Sequence, residues 1–133
     1  MARILLTEDD DAVRTFVQRA LMLDGHTVLT AEDGSIGLEI LEEENGAFDL
    51  LLTDIKMPVM DGIALSMNAA RSWPELTIIL MTGYADQRER AQGLDALVHD
   101  VISKPFSLAD IRKAVSDALI GEPAEIQSIA AGV

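Results

Sequence analysis

Residues 50–62 read Leu50-Leu51-Leu52-Thr53-Asp54-Ile55-Lys56-Met57-Pro58-Val59-Met60-Asp61-Gly62. Three leucines in a row give neither face of an extended chain to water, so the segment suits a strand buried on both sides. The strand runs into Asp54 and then into a loop punctuated by Pro58 and Gly62. A helix follows from about Gly62 to Ser72 and ends before Pro74. The unit is therefore strand, loop, helix, with an acid at the carboxyl end of the strand.

The same unit recurs on both sides. Ile4-Leu5-Leu6 is a buried strand, and Asp10 or Asp11 caps a helix whose apolar stripe is Val13, Phe16, Val17, Ala20 and Leu21. Gly25 stops that helix. His26 to Thr30 reads as a strand and Asp33-Gly34 as a turn. Ile36, Ile40 and Leu41 mark a weaker helix ended by Asn45-Gly46. Ile78 to Met81 is a fourth strand, and Asp86 to Leu97 a helix with a thin apolar stripe. Val98 to Ile102 is a fifth strand, cut off near Pro105. Leu108, Ile111, Val115, Ala118 and Leu119 form the last helical stripe. Strands apolar throughout, alternating with helices, imply a parallel α/β sheet covered on both faces. Right-handed crossovers make an open doubly wound sheet the economical arrangement. Residues 121–133 are small, polar and weakly patterned, and read as a flexible C-terminal tail after a single domain at 1–120.

Composition narrows the function. The 133 residues carry 10 Lys plus Arg against 23 Asp plus Glu, a net charge of −13. Such a body repels phosphate backbones and anionic surfaces, so neither nucleic acid nor membrane is expected as a partner. The absence of Cys removes disulfides, thiolate metal sites and Cys nucleophiles, and fits a cytoplasmic location. The N-terminal apolar stretch is too short for a signal peptide, and no run reaches the length of a membrane span.

In open α/β sheets, ligands gather at the carboxyl ends of the strands. Strand one ends in Glu8-Asp9-Asp10, strand three in Asp54, strand four in Thr82-Gly83 and strand five in Lys104-Pro105. Clustered carboxylates repel, and some must take up protons unless a cation joins them. All-oxygen ligands without Cys or paired His select a hard ion, Mg²⁺ or Mn²⁺. One carboxylate, Asp54, is then available as a nucleophile toward phosphorus. Lys104 and the Thr82 hydroxyl would hold phosphoryl oxygens, with Gly83 allowing close backbone approach.

The segments Leu5-Leu6-Thr7-Glu8-Asp9-Asp10, Leu52 to Gly62, Met81-Thr82-Gly83 and Ser103-Lys104-Pro105-Phe106 together resemble the receiver domain of two-component response regulators, over about residues 2–120. The resemblance implies a flavodoxin-like (βα)5 fold with strand order 2-1-3-4-5. It implies Asp54 as phosphoacceptor, and Mg²⁺ held by Glu8, Asp9, Asp54 and the backbone carbonyl of Lys56. Thr82, Gly83 and Lys104 become the switch and phosphoryl-contacting residues, and Lys104-Pro105 a cis peptide bond. The implied donor is a histidine kinase or a histidine phosphotransfer protein. Such domains are not enzymes beyond slow loss of their own phosphoryl group. The implied output face is built from the helix near 86–97, the fifth strand and the last helix.

One departure stands out. Receivers usually carry Tyr or Phe three residues before the Lys of the fifth strand, and here that residue is Val101. Tyr84, two after Thr82, is the aromatic placed to take over part of the switching role. A single receiver with a Thr-Gly-Tyr loop and this tail also resembles the CpdR type, which couples phosphorylation to substrate delivery to a Clp-type protease. Two other readings belong to the same class: a receiver cut from a hybrid kinase, and a phosphoryl relay. A metal-dependent aspartyl-phosphate phosphatase is the reading of another class. It would need its nucleophile on strand one, where this chain has the metal acids.

Overall fold

The computed structural model describes residues 1–83, 94 and 96–120. The elements are β1 (Arg3–Thr7), α1 (Asp11–Leu23), β2 (Thr27–Ala31), α2 (Gly34–Glu43), β3 (Leu50–Asp54), α3 (Gly62–Ser72), β4 (Thr77–Thr82), β5 (Asp100–Ser103) and a last helix, Leu108–Leu119. The five strands form one sheet in the order β2-β1-β3-β4-β5, and every pairing is parallel. The flavodoxin-like doubly wound architecture is the one found.

Side-chain alternation explains why the central strands are apolar throughout. Ile4 and Leu6, Leu50 and Leu52, and Ile79 and Met81 face one core, closed by Val17, Ala20 and Leu21 of α1 and Ile111, Val115 and Ala118 of the last helix. Leu5, Leu51, Ile78 and Leu80 face a second core, closed by Leu41 of α2 and Leu65 and Ala69 of α3. Each such leucine or isoleucine contributes roughly 1.5–3 kcal/mol of burial. Continuous leucine runs are therefore two half-cores threaded on one strand. No helix among the described residues is long and apolar enough to cross a membrane.

Several local expectations are corrected. Asp33-Gly34 is no free turn: Asp33 caps α2, its carboxylate accepting from the Ile36 amide at 2.9 Å, and Gly34 is the first helical residue. Gly stands there for space, because a Cβ would lie 2.4 Å from the Met60 carbonyl oxygen. Strand two runs Thr27–Ala31, since Thr27 rather than His26 pairs with Arg3. Strand five starts at Asp100 rather than Val98, because Val98 packs into the second core ahead of the ladder. It extends to Ser103, whose register partner is Thr82. Phe16 leaves the buried stripe of α1 and is 42% exposed, lying over Phe106 with ring centroids 6.5 Å apart. Ile36 and Leu108 are also exposed. Both sit in the first turn of their helices, while later turns cover the sheet. The helix read over 86–97, apart from its last residues, and the tail over 121–133 lie outside the described residues.

Candidate functional site

β1 and β3 are central neighbours, so their carboxyl ends lie side by side. β1 delivers Glu8 and Asp9 there, and β3 delivers Asp54. Carboxylate oxygens of the three lie within 4.8 Å of one another. Glu8 is 0% exposed, Asp54 is 5% exposed, and Asp9 faces solvent. Asp10 stands apart from the cluster. Its side chain caps α1 by accepting from the amides of Ala12 and Val13.

A cation that directly follows the edge strand β5 completes the group. Nζ of Lys104 lies 2.8 Å from Oε1 of Glu8 and 3.3 Å from Oδ2 of Asp54. The other oxygens meet backbone donors. Oε2 of Glu8 accepts from the Asp10 amide at 3.1 Å, and Oδ1 of Asp54 from the Ile55 amide at 3.0 Å. Burial pushes the Glu8 carboxyl up to about 7, against the pull of Lys104. Burial also raises Asp54, again opposed by Lys104. Lys104 itself loses solvation, yet its bonds to Glu8 and Asp54 leave it above its ordinary value.

Beneath the acids, Thr53 Oγ1 accepts from Thr7 Oγ1 and donates to the Asp54 carbonyl at 2.9 Å, tying the two strand ends together. The loop after Asp54 folds back so that the Gly62 amide donates to the Ile55 carbonyl at 2.8 Å. A Cβ on Gly62 would lie 2.0 Å from the Asp54 carbonyl oxygen, so only glycine lets the loop close over the strand end. Above the acids is a cleft of about 1030 Å³, lined among others by Glu8, Asp9, Asp54, Lys56, Gly83 and Lys104.

The donor set suits a hard divalent ion. Three carboxylates and one ammonium sum to −3 + 1 = −2 when all are ionised. Adjacent ligand oxygens on an octahedral Mg²⁺ at about 2.1 Å lie roughly 3 Å apart, so acids within 4.8 Å of one another need to close by about 2 Å at most. All-oxygen ligation also disfavours zinc.

The structure thus brings together Glu8, Asp9, Asp54 and Lys104, with Lys56 and Gly83 on the cleft wall. Thr82 ends β4, buried, immediately before Gly83, and its carbonyl accepts from the Lys104 amide at 2.7 Å. The Lys104–Pro105 peptide is cis. Val101 is not at the cleft: it packs on the second core opposite Leu80. Tyr84 lies outside the described residues. One participant was missed. Arg14 of α1 donates to the Glu8 backbone carbonyl at 2.8 Å. Helical spacing points only to its pairing with Asp11, one turn back on α1; the Glu8 contact, six residues back and outside the helix, carries no sequence signal.

Comparisons with known proteins point to one family. The family model for the response regulator receiver domain matches residues 4–116. The response regulator receiver protein CpdR of Brucella abortus is 41% identical over 120 residues, covering 90% of this chain and 98% of that protein. The sensor kinase CckA of the same organism is 40% identical over 119 residues, 89% of this chain but only 12% of that protein. The crystal structure of response regulator TrrA from Thermotoga maritima, in complex with Mg²⁺-BeF, superposes with a TM-score of 0.77 at 26% identity. It covers 88% of this chain and 98% of that one.

Proposed function

This chain belongs to the response regulator receiver family, and on that premise we propose that it is a phosphorylation-dependent binding switch charged on Asp54. The observation that carries the reading is the Asp54 carboxylate at the floor of an open cleft, with Glu8 and Asp9 beside it and Lys104 3.3 Å away. A carboxylate oxygen of Asp54 attacks phosphorus and forms an acyl-phosphate P–O bond. The P–N bond of a phosphohistidine donor breaks, and the imidazole leaves with the electron pair and takes a proton from water. Glu8, Asp9, Asp54 and the Lys56 carbonyl are the residues to hold Mg²⁺, which supplies charge neutralisation at the phosphoryl oxygens. Lys104 transfers its contact from the free carboxylate to a phosphoryl oxygen. Gly83 admits that oxygen close to the backbone, and the Thr82 hydroxyl turns toward it. In this role the chain is a stoichiometric phosphoacceptor in the cytoplasm, with a histidine kinase or phosphotransfer protein as donor.

The switch acts on protein binding, through a face that includes β5 and the last helix. With Val101 packed on the second core, an aromatic relay through that position is absent, and Tyr84 is the residue we assign to it. The likeness to CpdR over nearly that protein's full length favours regulated proteolysis as the output, with a Clp-type protease as partner. Titration with beryllofluoride, a phosphoryl analogue, in Mg²⁺ tests the site. Wild type should show saturable binding and Asp54→Asn none; equal binding by both would place the acceptor elsewhere. Binding to a purified Clp unfoldase with and without the analogue tests the output. Absence of binding in both states would remove the protease reading and leave the receiver reading intact.

A further inference from the structure

Arg14 sits on the first turns of α1 with its side chain only 16% exposed. One guanidinium nitrogen donates to the Glu8 carbonyl at 2.8 Å, and another meets the Asp11 carboxylate. The Glu8 carbonyl belongs to the peptide that joins Glu8 to Asp9. Its orientation therefore sets where the Asp9 side chain leaves the backbone. The same short turn is held on its other sides by the Glu8 amide, which donates to the Ala31 carbonyl at 3.1 Å, and by the Asp10 amide on Glu8 Oε2. The turn carries two of the three clustered acids. Asp9, the exposed one, has no strand geometry to locate it.

We propose that Arg14 is a positioning residue for divalent-cation binding: by holding the Glu8–Asp9 peptide plane it aims the Asp9 carboxylate at the cluster formed with Glu8 and Asp54. The inference rests on the metal-site reading above. It also makes a prediction of opposite sign to simple electrostatics. Arg14 is a cation near a cation site, so its charge alone would weaken Mg²⁺ binding, and removing it would tighten binding. A partner that orients a ligand has the other effect: outer contacts of this kind cost about 10- to 100-fold in metal affinity when removed.

The test is Mg²⁺ titration of the phosphate-free protein followed by amide chemical shifts, on wild type, Arg14→Ala, Arg14→Lys, Arg14→Gln and Asp9→Asn. Arg14→Ala should bind Mg²⁺ about tenfold more weakly. Arg14→Lys, which keeps a donor able to reach the Glu8 carbonyl, should recover most of that loss. Should the alanine variant not fold, Arg14→Gln against Arg14→Lys carries the same comparison. Unchanged or tighter binding by Arg14→Ala or Arg14→Gln, with Asp9→Asn weakened, would overturn the role of Arg14 while leaving the metal site standing. Wild-type affinity in Asp9→Asn would remove the metal-site reading and the inference with it.

Discussion

The ammonium of Lys104 lies 3.3 Å from Oδ2 of Asp54, bringing the carboxyl ends of two strands that are not neighbours in the sheet onto one point. The same ammonium holds the fully buried Glu8 at 2.8 Å. One lysine thus serves two buried carboxylates, and the remaining negative charge is what a divalent ion would balance.

Removing that lysine leaves both acids without their cation. Lys104→Ala should cost about 2 kcal/mol at pH 8, below the full figure for breaking a buried pair because the side chain is partly exposed. The cost should shrink at pH 5, where Glu8 takes up a proton. Urea unfolding at both pH values measures it. Equal losses at the two would mean the lysine acts through packing rather than charge.

The raised Glu8 carboxyl sets a pH dependence of its own. Folding lifts it from 4.5 to about 7, so the folded state holds a proton that the unfolded chain has released. Stability from this group is fully present below 4.5 and is lost as pH rises through 7, by about 3 kcal/mol at most. Metal-free wild type should therefore lose stability between pH 5 and pH 7.5, and Glu8→Gln should show a flatter profile. A wild-type profile that rises with pH over that range would contradict the assignment.

Gly62→Ala tests the loop that covers the acceptor. The new Cβ would sit 2.0 Å from the Asp54 carbonyl oxygen and 2.8 Å from its carbon, both backbone atoms that cannot swing aside. A loss of about 3 kcal/mol is expected, at the upper end for overpacking. A melting temperature within a degree or two of wild type would show that the loop relaxes freely.

How far the sequence could be read follows from what fixes each feature. β1, β3 and β4 are central, so both faces are apolar and their leucine and isoleucine runs are visible without any alignment of partners. The edge strands β2 and β5 are partly exposed, and their limits were misread by one or two residues because the ladder sets them, not hydropathy. Glu8, Asp9, Asp54 and Lys104 were legible as a group because each ends a strand. The bond between Glu8 and Lys104, 96 residues apart, was not legible. It depends on how strand ends converge in space. Phe16 looked like core because its spacing fits the stripe of α1, but it stands at the cleft rim over Phe106.

The switch stands or falls on phosphoryl transfer to Asp54. Its most direct test is intact mass after incubation with acetyl phosphate and Mg²⁺, on wild type beside Asp54→Asn. Wild type should gain about 80 Da, one phosphoryl group, in a form that hydrolyses on standing, and Asp54→Asn should gain nothing. The same gain in both proteins would contradict that assignment.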